Sequence, residues 1–125
     1  MVGAAPMSEP LQDRPSFNDY QGWATSGAIY PGRGSLIGVA YCALKLNGEA
    51  GEVAEKIGKA WRDYDGVITP ERREAVMLEL GDVLWYVANL ASELSIPLEQ
   101  VVAGNMAKII SRRARGKQRG EGDNR

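Results

Sequence analysis

The sequence predicts an all-α protein, an antiparallel bundle of about four helices. Three observations carry this. Apolar residues recur at three- and four-residue steps over long stretches, no segment alternates with the two-residue period of a strand, and proline or glycine clusters separate the stretches. Four short helices bury little core in a chain of 125 residues, so the bundle is expected to be completed by oligomerisation.

Residues 1–15 hold three prolines and no apolar period, and are expected to form a flexible N-terminal arm in which Met7 is an alternative start. The domain proper is expected over 16–114. Ser16 is placed to cap a first helix through Phe17, Tyr20, Gln21, Ala24 and Ala28, although Gly22 and Gly27 disfavour it. The run from Tyr30 to Ser35 reads as a loop. Leu36, Val39, Ala43, Leu46, Ala50, Val53, Ala54, Ile57 and Trp61 then mark one long helix from about 36 to 61. Arg62 to Gly66 breaks it, and Thr69 with Pro70 starts the next as N-cap and first-turn proline. Its stripe runs from Val76 through Leu80, Leu84 and Val87 to Leu94, ending at Ser95-Ile96-Pro97. A last helix spans roughly 98–114, and 115–125 is a basic, glycine-containing tail expected to be mobile unless held.

Composition limits the chemistry. There is no histidine and a single cysteine, Cys42. This removes Ser-His-Asp triads, histidine-ligated zinc and disulfide frameworks, and leaves carboxylates, Lys, Arg, Tyr and a hard metal ion for any catalysis. No apolar run is long enough to cross a membrane, and no secretory signal opens the chain, so the expected compartment is cytoplasmic. Residues 47–82 carry nine acids and five bases, whereas 107–125 carry seven bases and two acids. That asymmetry suits a metal-and-phosphate site built from two regions. It equally suits a helical module that binds nucleic acid or a partner through its basic C-terminal region.

The two central helices repeat a pattern. Glu49-Ala50-Gly51-Glu52-Val53 in the first matches Glu79-Leu80-Gly81-Asp82-Val83 in the second. If Ala50 and Leu80 point to the core, Glu49 and Glu79 lie ~100° to one side and Glu52 and Asp82 ~160° to that same side. In antiparallel neighbours equal offsets fall on one side of the pair, and both acidic pairs lie roughly 16 Å from the turn at ~1.5 Å per residue. Four carboxylates so placed need a cation, and Mg²⁺ or Mn²⁺ takes such oxygen ligands. Gly51 and Gly81 would allow close approach to the metal. The plainer explanation is a solvated face with Lys45–Glu49 and Glu52–Lys56 pairs, which does not explain the doubled motif. Trp85 lies ~140° from Leu80 on the other flank, where a large aromatic suggests a subunit contact.

With these residues, Glu-x-x-Glu followed after 26 residues by Glu-x-x-Asp, the chain resembles the MazG-type nucleoside triphosphate pyrophosphohydrolases of the all-α NTP pyrophosphatase superfamily, notably compact phage and bacterial members. The resemblance extends over about 16–125, through Asn105–Arg112 and the closing Gly120-Glu121-Gly122-Asp123-Asn124-Arg125. It implies hydrolysis of a nucleoside triphosphate to monophosphate and pyrophosphate. By position, Glu49, Glu52, Glu79 and Asp82 would hold Mg²⁺ or Mn²⁺, with Glu55 as a further ligand or water-positioning base. Lys108 and Arg112, four apart on the last helix, would grip phosphate, and Tyr86 and Asn89 would meet sugar or base. Lys59 stands where some pyrimidine-preferring relatives have Trp, and Trp23 is an alternative stacking partner. The leading substrate is therefore a dNTP with a purine base such as dGTP. The family pattern also implies a site shared across a homodimer or homotetramer, in the cytoplasm of a bacterium or a phage-infected host.

Overall fold

A computed structural model describes residues 14–125, and among these the protein is four α-helices without strands: α1 (Phe17–Ser26), α2 (Leu36–Asp63), α3 (Pro70–Glu93) and α4 (Leu98–Ala114). The expected order and bounds hold to within a few residues. Of the N-terminal arm, residues 1–13 lie outside the described part.

The local signals act as expected. The Ser16 hydroxyl accepts from the Asp19 N–H while the Asp19 carboxylate accepts from the Ser16 N–H, a reciprocal capping box. The Thr69 hydroxyl accepts from the Arg72 N–H, with Pro70 in the first turn of α3. The fourth helix has no such cap of its own, because Pro97 occupies the position. Its first donors are met by α1 instead. The Leu98 N–H donates to Gln21 Oε1 at 2.8 Å and the Glu99 N–H to Asn18 Oδ1 at 3.1 Å. Gln21 Nε2 in turn donates to the Ile96 carbonyl at 2.9 Å.

α2 and α3 form a long antiparallel hairpin. α1 packs on α3 and α4, and α4 makes no contact with α2. The core is small: Ala24, Ala88 and Leu98 form its centre, with Tyr20, Trp85 and Val87 packed around them. The loop before α2 is pinned from across the fold. Tyr30 donates to the Glu93 carboxylate, which also accepts from the Gly34 N–H. Gly32 (φ +71°) closes this loop onto Gly38, and a Cβ on Gly38 would sit 2.5 Å from the Gly32 carbonyl oxygen. Both positions therefore require glycine.

Two expectations are corrected. Ala50 and Leu80 do not face the core: among the described residues α1 and α4 leave that side of the hairpin uncovered, and Leu80 is half exposed beside Ile57 and Met77. Trp85 is not on an outer flank but half-buried, its ring 5.0 Å from Tyr86 and 6.3 Å from Tyr30 between centroids. The tail, expected to be mobile unless held, is held: it turns back at Gly116, Gly120 and Gly122, all at positive φ, to meet α4.

Candidate metal centre

The acidic motifs meet in the seam between α2 and α3. Glu49, Glu79 and Asp82 each present a carboxylate oxygen, and these oxygens lie within 4.8 Å of one another. Seam burial leaves the side chains of Glu49 and Glu79 only 16% exposed. Burial, and then the Asp82 carboxylate, raise the Glu49 pKa above the ordinary carboxylate range, with Glu52 and Glu79 adding to the effect and Lys45 opposing it. Glu52 lies outside the tight trio but near enough to act on Glu49 through its charge, and among the described residues it forms no ion pair.

The salt-bridged face is only half realised. Lys45 stands 3.9 Å from Glu49, a loose contact, and its ammonium also lies 5.9 Å from the Tyr86 ring centre. Lys56 does not pair with Glu52 as helical spacing suggests; it crosses the seam to Glu79 at 3.5 Å. Glu55 is turned away from the trio to an exposed pair with Lys59 at 2.7 Å, which lowers its pKa. This donor set fits a hard divalent ion: three convergent carboxylates, two of them largely withdrawn from water, without nitrogen or sulfur ligands.

The remaining sequence candidates fall into three groups. Tyr86 lies beside the acids in a row of rings, tilted against Tyr41 and edge-on to Trp85, and burial followed by its neighbours raises its phenol pKa. Asn89 is fully buried, its amide donating to the Trp85 carbonyl at 3.1 Å while its Oδ1 meets no partner. Trp23 is two-thirds exposed and leans on Tyr20, so it does not pack in the core of this chain. Lys108 and Arg112 are joined to the tail, not to the acids. Sequence reasoning gave Lys56 to Glu52 rather than to Glu79, and missed Tyr20 as a neighbour of the acids. Tyr20 reaches from α1 close enough for Asp82 to add to the burial that raises its pKa. The sequence marked Tyr20 only as part of the first helix's spacing, and no local signal tied it to Asp82, 62 residues away.

The chain is similar to the Gene 37 protein of Mycobacterium phage L5, at 50% identity over 109 residues that make up 85% of this chain and 96% of that protein. No solved structure matches it significantly. No helix among the described residues is long and apolar enough to cross a membrane. The MazG nucleotide pyrophosphohydrolase domain matches residues 40–116, a stretch that contains both acidic motifs and Lys108 and Arg112, and the chain belongs to that family.

Proposed function

We propose that this chain is a metal-dependent nucleoside triphosphate pyrophosphohydrolase acting on a dNTP, with a purine such as dGTP as the leading substrate, and releasing monophosphate and pyrophosphate. The observation that carries the reading is the Glu49–Glu79–Asp82 cluster, set in the helix seam of a MazG-family chain. These three residues and Glu52 would hold Mg²⁺ or Mn²⁺. An ion of this kind, when bound, supplies positive charge to the triphosphate oxygens and to the leaving pyrophosphate.

The chain's own groups supply the rest. Glu52, just outside the convergent trio and without an ion pair among the described residues, is placed to orient an attacking water toward the α-phosphorus; Glu55, held by Lys59, serves at the rim. Lys45 and Lys56 offset the charge of Glu49 and Glu79 and stand at the edge of the seam, where they would be within reach of phosphate oxygens. Tyr86 offers a ring to sugar or base beside Lys45, and Trp23 and Lys59 stand at the margins. Asn89 supports Tyr86 from the core by fixing the Trp85 backbone.

Among the described residues Lys108 and Arg112 form no ion pair with Glu49, Glu52, Glu79 or Asp82, and the apolar face of α2–α3 is uncovered. Both facts support a homodimer or homotetramer, with residues 16–114 as the folding unit, in which the cations of one copy reach the acids of another. The nucleic-acid reading is less well supported, because Lys108, Arg112 and Arg115 are spent on the tail. A panel of NTPs and dNTPs with Mg²⁺ and Mn²⁺, resolving monophosphate from diphosphate products, tests the proposal. Release of single phosphates, or turnover that survives EDTA, would overturn it.

A further inference from the structure

The tail closes on α4 through one buried cation. Arg112 Nη2 donates to the Asp123 carbonyl at 2.9 Å, to the Gly122 carbonyl at 3.4 Å and to Asp123 Oδ1 at 3.3 Å. Lys108 Nζ reaches the same Oδ1 at 3.4 Å. The two sides of this contact are unequal. The Arg112 side chain is 7% exposed and the Asp123 side chain 84%. Three oxygens crowd one nitrogen of the guanidinium, while its buried Nε–H finds no acceptor among the described residues. Two positive charges face one carboxylate. A guanidinium this withdrawn from water, with a donor unused and charge uncompensated, is under-filled by a single carboxylate oxygen.

A phosphate group fits that deficit. It brings up to two charges and three acceptor oxygens where Asp123 brings one charge. The carboxylate it would replace is itself open to water and sits at long range from both cations, 3.3 Å from Arg112 and 3.4 Å from Lys108, so its hold is weak. The tail has glycine hinges ahead of Asp123, at Gly116, Gly120 and Gly122, all at positive φ, about which it can swing.

We propose that Lys108 and Arg112 form a phosphate site that the chain fills with its own Asp123, so that the tail is a displaceable stand-in which a phosphate-bearing ligand must expel. The inference rests on the reading that these two cations serve phosphate, and it adds the competition from within the chain. Arg112 then has two tasks, folding the tail through the Gly122 and Asp123 carbonyls and presenting the site beneath it.

The test is binding of inorganic pyrophosphate to the full chain in EDTA, followed by ³¹P NMR, so that neither metal nor turnover takes part. Asp123→Asn should tighten pyrophosphate by about two- to fivefold, what an exposed ion pair yields. Lys108→Met should weaken it about tenfold and, in the double variant, abolish the gain from Asp123→Asn. In the unmodified chain, saturating pyrophosphate should speed tryptic cleavage after Lys117 and Arg119 as the tail lifts. Asp123→Asn binding that is weaker or unchanged, or slower cleavage with pyrophosphate, would overturn the proposal and leave Asp123 a structural pin. Because no step requires hydrolysis, failure here is distinct from failure of the nucleotide panel.

Discussion

Replacing Glu49 with Gln should stabilise the metal-free protein and destabilise the metal-loaded one. Glu49 has two carboxylates, Glu79 and Asp82, with oxygens within 4.8 Å, and one cation, Lys45, at 3.9 Å. At these separations each repulsion is ~1 kcal/mol at the dielectric of water and ~3.5 kcal/mol at an effective dielectric of 20, and Lys45 cancels about one of the two. The net cost of the ionised Glu49 is therefore about 1–3.5 kcal/mol, or roughly 4–13 °C in Tm for a chain of this size. The sign follows from linkage. A carboxyl whose folded pKa is raised loses folding free energy as pH climbs from its unfolded value through its folded one, and acid restores it. In EDTA at pH 7, Glu49→Gln should melt higher than the parent chain, and the gap should close as pH falls toward 4. In millimolar Mg²⁺ the order should invert, because the parent gains binding free energy that the variant lacks. Differential scanning calorimetry at one fixed protein concentration reads both arms. A variant that melts lower in EDTA, or an equal Mg²⁺ gain for both proteins, would refute a repulsive carboxylate cluster awaiting a cation.

Glu52→Gln and Asp82→Asn should each cost at least about 100-fold in turnover with far-UV circular dichroism unchanged, whereas Glu55→Gln should cost far less, since Glu55 faces Lys59. In ¹⁸O-labelled water the label should enter the nucleoside monophosphate; label found only in inorganic phosphate would indicate a phosphatase. Trp61→Arg, on the uncovered apolar face where Trp61 is 80% exposed, should shift sedimentation toward monomer at micromolar concentration. Trp85→Ala should instead lower stability by about 3 kcal/mol without changing assembly, because its ring packs within the chain against Tyr30 and Tyr86.

The helices were legible because each carries its signals locally: Ser16 and Thr69 as caps, Pro70 in a first turn, Ser95-Ile96-Pro97 as a stop. The repeat of acid pairs was legible too, and it correctly brought residues 30 apart in sequence to one level. The direction of the seam was not. Apolar periodicity marks Ala50 and Leu80 as inward, but periodicity registers what must avoid water, not which neighbour covers it. Here no described residue covers that face, and the acids take the seam. What holds the tail was not legible for a similar reason. Glycine and charge read as looseness, and only the three-dimensional position of Arg112 makes a folded hook of it.

The bonds that fix α1 have a consequence for synthesis. Asn18 bonds Glu99, Gln21 bonds Ser92, Ile96 and Leu98, and Thr25 bonds Ser92, so these long-range partners all fall between residues 92 and 99. A ten-residue helix has little stability alone. At roughly 5–20 residues per second, several seconds separate the translation of α1 from that of its first docking partner. The helix made first therefore waits for its partners, and during that interval Trp23 and Tyr20 are open to whatever binds nascent chains. Slow codons or stalling before residue 92 would lengthen that exposure, whereas a pause later would find α1 already docked.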